Sequence, residues 1–172
     1  MLEIEVELPL LYRKQGAAVL DPARIVCIES TTKAGKTLSC IVWQISEMLK
    51  AAPDTEHWWV APVYQQADMA FREAWKLLRG KPGFRQSLSD RSIIGPGERR
   101  WMFKSADKPD NLYGSAVSSA VLDEASRMKD DAVDAVYSTT TATRGRMRLI
   151  GNVRGRSNRH YQWSRKAEAG EP

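Results

Sequence analysis

Residues 24–43 constrain this chain more than any other stretch: Arg-Ile-Val-Cys-Ile-Glu-Ser-Thr-Thr-Lys-Ala-Gly-Lys-Thr-Leu-Ser-Cys-Ile-Val-Trp. An apolar run, Ile25 to Ile28, stops at a polar loop. The loop closes with Gly35-Lys36-Thr37, and an amphipathic run starts at once. Strand, loop and helix in that order are what a phosphate-binding loop requires. Backbone N–H groups of the loop and of the helix N-terminus point at phosphate oxygens. Lys36 would reach the β- and γ-phosphates, and the Thr37 hydroxyl would bind Mg²⁺. The expected nucleotide-binding stretch is Ser30, Thr31, Thr32, Lys33, Ala34, Gly35, Lys36 and Thr37. The match to G-x-x-x-x-G-K-[ST] is imperfect, because Ser30 stands where the first Gly belongs. An ordinary strand-to-helix turn with a Gly in it competes with the phosphate loop, and a second nucleotide-handling element must decide.

The rest of the chain limits the alternatives. At 172 residues it is one domain or slightly more, long enough to bury a real core. Its 42% hydrophobic and 27% charged residues are those of a globular protein with a solvated surface. No apolar run approaches the roughly 20 residues that span a bilayer. The N-terminus, Met-Leu-Glu-Ile-Glu-Val-Glu, is acidic and alternating, which is wrong for a signal peptide. Cys27 and Cys40, the only cysteines, sit in apolar patterns and read as buried free thiols in a reducing compartment. The net charge of +5 is uneven: Arg144 to Lys166 holds seven Arg, one Lys and no acid. Such a stretch suits phosphates, either of nucleic acid or of a nucleotide on a neighbouring subunit, or is a solvated face.

Taken in order, residues 1–23 read as a lead-in, with a short strand-like run and a break at Pro9. Gln15 precedes the first buried strand; an amide there is donor and acceptor together and suits both edges of adenine, or is a surface Gln. After the loop, Leu38, Ile41, Val42, Ile45, Met48 and Leu49 fall on one helical face. A buried strand is expected over 57–61 and a second helix over 64–78. A hairpin is expected from 91–94 to 100–103 around Gly95-Pro-Gly, a strand over 117–122, a helix over 130–137 and a last strand from Met147. Strands alternating with helices predict an α/β fold with a mostly parallel sheet.

The second element is Ala120-Val121-Leu122-Asp123-Glu124, an apolar strand ending in two acids. Asp123 at the strand end would hold Mg²⁺ through water, and Glu124 would polarise a water for attack on the γ-phosphate. It lies far enough after Lys36 to leave room for an intervening helix–strand–helix and a hairpin. With both elements present, the loop reads as that of a P-loop ATPase using ATP and Mg²⁺.

From about Tyr12 to Trp163 the chain resembles the large subunit of the tailed-phage terminase, the DNA-packaging motor. Four further stretches carry the resemblance: Trp58-Trp-Val-Ala-Pro-Val-Tyr-Gln-Gln-Ala67; Asn111-Leu-Tyr-Gly114 followed by Val121-Leu-Asp-Glu-Ala125; Arg144-Gly-Arg with Leu149-Ile-Gly-Asn152 and Gly155; and Asn158 to Trp163 with Tyr161. The resemblance implies an ASCE-type, RecA-like P-loop NTPase with a three-layer fold, its central sheet flanked by helices. It implies Lys36 and Thr37 on phosphate and Mg²⁺, Asp123 on Mg²⁺, Glu124 as general base, Asn152 as the coupling residue and Gln15 at the adenine. The family's P-loop usually holds an Arg that neutralises transition-state charge. Lys33 takes its place here and gives charge without the bidentate fork.

The resemblance also implies double-stranded DNA, a terminase small subunit and a portal protein as partners. It implies a working homo-oligomeric ring, no membrane, and a place in the host cytoplasm docked transiently on the procapsid. Arg144, Arg146, Arg154 and Arg156 are the expected contacts to DNA or a neighbouring subunit; Arg148 alternates with the first two. The expected division is a lead-in over 1–23 with adenine-side contacts, an ATPase domain over 24–166 and a tail over 167–172. The family's nuclease domain is expected to be absent, as in one half of a split gene. Asp130, Asp131 and Asp134 read as the start and exposed face of a helix, not as a nuclease centre. His57 and His160 lack partners at zinc-ligand spacing. Trp43, Trp58, Trp59 and Trp75 fall in core elements. Two other functions stay open: a helicase-like or other DNA-dependent ATPase, and a degenerate P-loop that binds nucleotide without turnover.

Overall fold

The computed structural model describes residues 6–170. A seven-stranded sheet carries the fold: β1 (Ile25–Glu29), β2 (Glu56–Ala61), β3 (Arg85–Ser87), β4 (Ser92–Gly95), β5 (Arg99–Ser105), β6 (Val117–Leu122) and β7 (Arg146–Gly151). The spatial order is β1-β7-β6-β2-β5-β4-β3. The first five in that order are parallel, and β4 and β3 add an antiparallel edge. Five helices pack on it: α1 (Arg13–Val19), α2 (Lys36–Lys50), α3 (Tyr64–Leu78), α4 (Asp130–Thr141) and α5 (Arg159–Glu168). This is a three-layer α/β architecture, and β7 lies between the strand before the loop and the strand before Asp123-Glu124.

Period-two alternation sorts the strand side chains into two cores. Trp59, Ala61, Val121 and Ile150 face α2 and α3. Trp58, Val60, Ala120, Leu122 and Leu149 face the layer that holds α4. Because both faces are covered, the central strands are continuously apolar rather than alternating with polar residues. The aromatic spine on the first side runs Trp59, Trp101, Phe103, Phe71, with ring centroids 6.4, 4.7 and 5.4 Å apart along it. Trp43, Trp58 and Trp59 are core residues as expected, and Trp75 is partly buried against the same core.

Several expectations are corrected. The lead-in contains α1, whose seven residues make too few turns for a periodic pattern to show. The strand-like run before it lies mostly outside the described residues, and the part that is described forms no strand. α2 buries Ser39, Cys40, Trp43 and Gln44 as well as its expected face, while Leu38 is exposed beside the loop. β3 was not legible at three residues. The basic run after β7 contains α5, which continues to Glu168; residues 171–172 lie outside the described residues. Asp130 and Asp134, on α4, pair with Arg159 at the start of α5 and so join two helices rather than facing solvent alone.

Arg148 departs furthest from expectation. It is fully buried and donates to the backbone carbonyls of Val19, Asp21, Ala23 and Met147 at 2.7 to 3.2 Å. Its guanidinium stacks on Trp43, 4.5 Å from the ring centroid. It closes the N-terminal segment onto β7 and offers nothing to a phosphate outside.

A polar chain crosses the same interior. Gln44 Nε2 donates to Ser119 Oγ (2.7 Å), which faces His57 Nδ1 (2.7 Å). His57 Nε2 meets Thr55 Oγ1 (3.1 Å), which donates to the Ala52 carbonyl (2.8 Å). Thr55 spends its proton on Ala52, so His57 donates from Nε2 and accepts at Nδ1 from Ser119. Only the neutral ring satisfies that chain. Burial, with Arg99 nearby, pushes the His57 pKa down to about 4. The unfolded chain therefore takes up this proton first as pH falls from about 6.5, and stability present above 6.5 is lost towards pH 4, about 3 kcal/mol in all. Urea unfolding between pH 7.5 and 4.5 should show this loss in wild type and a shallower one in His57→Asn; equal pH dependence in the two would refute it.

Candidate functional site

Parallel pairing brings the ends of β1, β7 and β6 to one edge. Glu29 lies opposite Gly151, and Leu149 opposite Leu122. Ser30 to Thr37, Asn152, Asp123 and Glu124 all follow from these strand ends, at the carboxyl edge where α/β sheets bind ligands. Ser30 N–H donates to the Gly151 carbonyl (3.3 Å), so the loop begins pinned to β7.

The loop turns through two left-handed residues, Lys33 (φ 63°) and Gly35 (φ 78°). Gly35 is also the N-cap of α2. The backbone angle calls for glycine, and a Cβ there, 2.1 Å from Gln15 Nε2, would push the Gln15 amide aside. Lys36 and Thr37 open α2, where backbone N–H groups lack helical partners and the helix dipole favours anions. Lys36 Nζ donates to the carbonyls of Ser30 and Thr31 (both 2.9 Å) and to Asn152 Oδ1 (2.8 Å). Asn152 Nδ2 reaches Thr32 Oγ1 (3.4 Å). Asn152 is thus tied to the loop at two points, one of them the lysine.

On the other side, Thr37, Asp123 and Glu124 line one cleft of about 230 Å³ with Gln66, Met69, Ala70 and Glu73 of α3. Burial, then the Glu124 carboxylate beside it, push the Asp123 pKa up to about 6; Glu73 adds to this and Lys36 opposes it. A carboxylate crowded by acids next to a threonine hydroxyl suits a divalent cation. Glu124 adopts left-handed backbone (φ 50°, ψ 41°) and caps a single 3-10 turn, Ala125–Arg127. That strain is of the kind that marks functional turns.

The remaining expected residues divide. Lys33 is exposed at the loop tip. Arg154 and Arg156 are exposed just after β7, on the same edge as the loop. Arg144 and Arg146 lie at the start of β7, at the opposite end of the sheet, and Arg146 is occupied by Glu47 (3.0 Å) and the Asp21 carbonyl (2.6 Å). The four arginines do not form one surface. Gln15 borders a second cleft of about 620 Å³ with Tyr12, Arg13, Ile28, Ser30 and Lys36. Both ends of its amide are engaged: Oε1 accepts from Tyr12 N–H (3.0 Å), and Nε2 donates to the Ala34 carbonyl (3.1 Å). Burial pushes the thiol pKa values of Cys27 and Cys40 up, which keeps them protonated.

Gln66 and Glu73 were missed from the sequence. Their signal was present: 66, 69, 70 and 73 share a helical face beside the core-facing one.

No family model matches the chain. Two curated proteins do, both terminase large subunits: that of Thermus virus P23-45 is 27% identical and that of Thermus phage G20c 29% identical, each over 147 residues. The match takes in 74% of this chain, and the chain spans 30% of the length of each relative. Among solved structures, the large terminase of bacteriophage HK97 superposes with a TM-score of 0.81 at 20% identity, covering 95% of this chain and 38% of that one. The large terminase ATPase domain of Thermus phage P74-26 gives 0.77 at 22% identity, with coverage of 90% and 69%. The large terminase of a thermophilic bacteriophage in complex with ATP-gamma-S gives 0.67 at 15% identity, with coverage of 84% and 38%. The resemblance to the phage terminase large subunit extends over most of the chain, and the fold is that of the large terminase ATPase domains.

Gln15 staples α1 to the loop. Gln15→Ala should lower stability by about 1 kcal/mol, the usual worth of such hydrogen bonds, read as a shift of the denaturant midpoint; an unchanged midpoint would remove that role.

Proposed function

We propose that this chain is the ATPase domain of a DNA-packaging motor, hydrolysing ATP to drive double-stranded DNA into a procapsid. The Lys36–Asn152 contact carries the reading. Lys36 has three donors and all three are engaged, one by the residue that follows β7. A γ-phosphate that draws Lys36 away releases Asn152, so the state of the nucleotide is felt at the end of a central strand.

In this reading the N–H groups at the start of α2 and Lys36 bind the phosphates. Thr37 and Asp123 would hold Mg²⁺, which neutralises phosphate charge when bound. Glu124 takes the proton of the attacking water. Lys33, at the tip of the loop, supplies further positive charge, and Gln15 fixes the loop wall on the base side. Residues 24–168 form the working unit, with α1 as its adenine-side wall. Arg154 and Arg156 face DNA or the neighbouring subunit of a ring; Arg144 reaches a different surface. The motor works in the host cytoplasm with a small subunit and a portal. Among the described residues no helix is long and apolar enough to cross a membrane.

Glu124→Gln should cut ATP turnover by about 10²-fold or more, as loss of a general base does, while ATP binding is kept. Equal turnover would overturn the assignment of Glu124. Wild type that binds ATP but shows no hydrolysis, with DNA present and at high protein concentration, would favour a nucleotide-binding module instead.

A further inference from the structure

The end of β7 and the turn after Glu124 share one neighbour that belongs to neither. His160, second residue of α5, is 1% exposed. Around Gly151, the position of an added Cβ would lie 3.5 Å from His160 Cε1, 3.3 Å from Ser126 Oγ and 3.5 Å from Ala125 N. The imidazole and the residues just after Glu124 therefore converge on the same face of Gly151, where a side chain would otherwise sit. Both His160 Nε2 and Ser126 Oγ are buried with no hydrogen-bond partner. Orphaned buried groups are costly, and here two lie beside one glycine.

The charges facing the ring come from three segments of the site. Glu29 and Glu124 favour its protonated form, as does the Leu149 carbonyl, and Lys36 opposes it; burial outweighs them and lowers the pKa. α5 itself is braced at both ends. Arg159 holds Asp134 through two bonds of 2.8 and 3.0 Å, and Arg165 pairs with Glu29, the residue before the loop. These pairs hold the backbone that carries the ring against the end of β7.

We infer that His160 is a positioning residue that links the Gly151–Asn152 end of β7 to the turn carrying Glu124, through a hydrogen bond between His160 Nε2 and Ser126 Oγ that forms when nucleotide binds. The inference rests on the ATPase reading given above. Release of Asn152 from Lys36 lets the end of β7 shift. Gly151, having no side chain, leaves open the space in which the imidazole and the serine then meet. The new bond fixes the 3-10 turn, and with it the left-handed backbone at Glu124.

Four variants test this: Ser126→Ala, His160→Asn, the double variant, and His160→Gln, which keeps a polar group near the Nε2 position. Turnover, KM, ATP-gamma-S affinity and thermal midpoint are measured for each. Ser126→Ala and His160→Asn should each lower kcat about tenfold, the size of one hydrogen bond to a positioned group. The double variant should be no slower than either, affinity should be unchanged, and His160→Gln should stay near wild type. Wild-type kcat in Ser126→Ala, losses that multiply in the double variant, or a matching fall in nucleotide affinity would overturn the inference. A second readout is independent of turnover. In long-range ¹H–¹⁵N spectra the His160 Nε2 resonance should move when ATP-gamma-S and Mg²⁺ are added to wild type, and stay fixed in Ser126→Ala. No movement in wild type overturns the link, whereas movement without hydrolysis counts against the ATPase reading alone.

Discussion

The position of β7 between β1 and β6 is the constraint on which the rest depends. Parallel pairing aligns three strand ends, so a loop, an asparagine and two carboxylates distant in sequence meet at one edge. A side chain leaving the end of β7 is within reach of both neighbouring ends. Lys36 touching Asn152, and Asp123 responding to both Glu124 and Lys36, are consequences of that register. The two apolar layers protect the register: sliding a strand by one residue would exchange its two faces and put each side chain in the wrong core.

Much of this was legible in the sequence. The apolar runs at 25–28, 57–61, 117–122 and 147–150 are long enough and apolar enough to be buried strands, and α3 shows a clean helical period. Gly35-Lys36-Thr37 and Asp123-Glu124 stand out in the sequence because each follows an apolar strand at a place where few residue types suit the proposed phosphate and metal chemistry. What escaped was short or polar. α1 and β3 are too brief to show a period, and α5 buries only a narrow face, His160 and Ser164, within a run whose charge reads as surface.

The arginines mark a different limit. Arg144, Arg146 and Arg148 alternate, so one face was the natural expectation, yet each ends in different surroundings: exposed, ion-paired and fully buried. Alternation fixes the side of a strand, not whether that side is covered. α2 and the N-terminal segment cover it here, and a guanidinium that satisfies four carbonyls is tolerated where an unpartnered one would not be.

That same Arg148 ties the order of assembly to the order of synthesis. The carbonyls it holds belong to residues 19, 21, 23 and 147, so the turn between α1 and β1 is locked by a side chain emerging from the ribosome some 125 residues later. The segment that carries α1 is made first and fastened last. Closure across so long a loop is entropically slow, so the amino-terminal end of β1 is fastened only when β7 is in place.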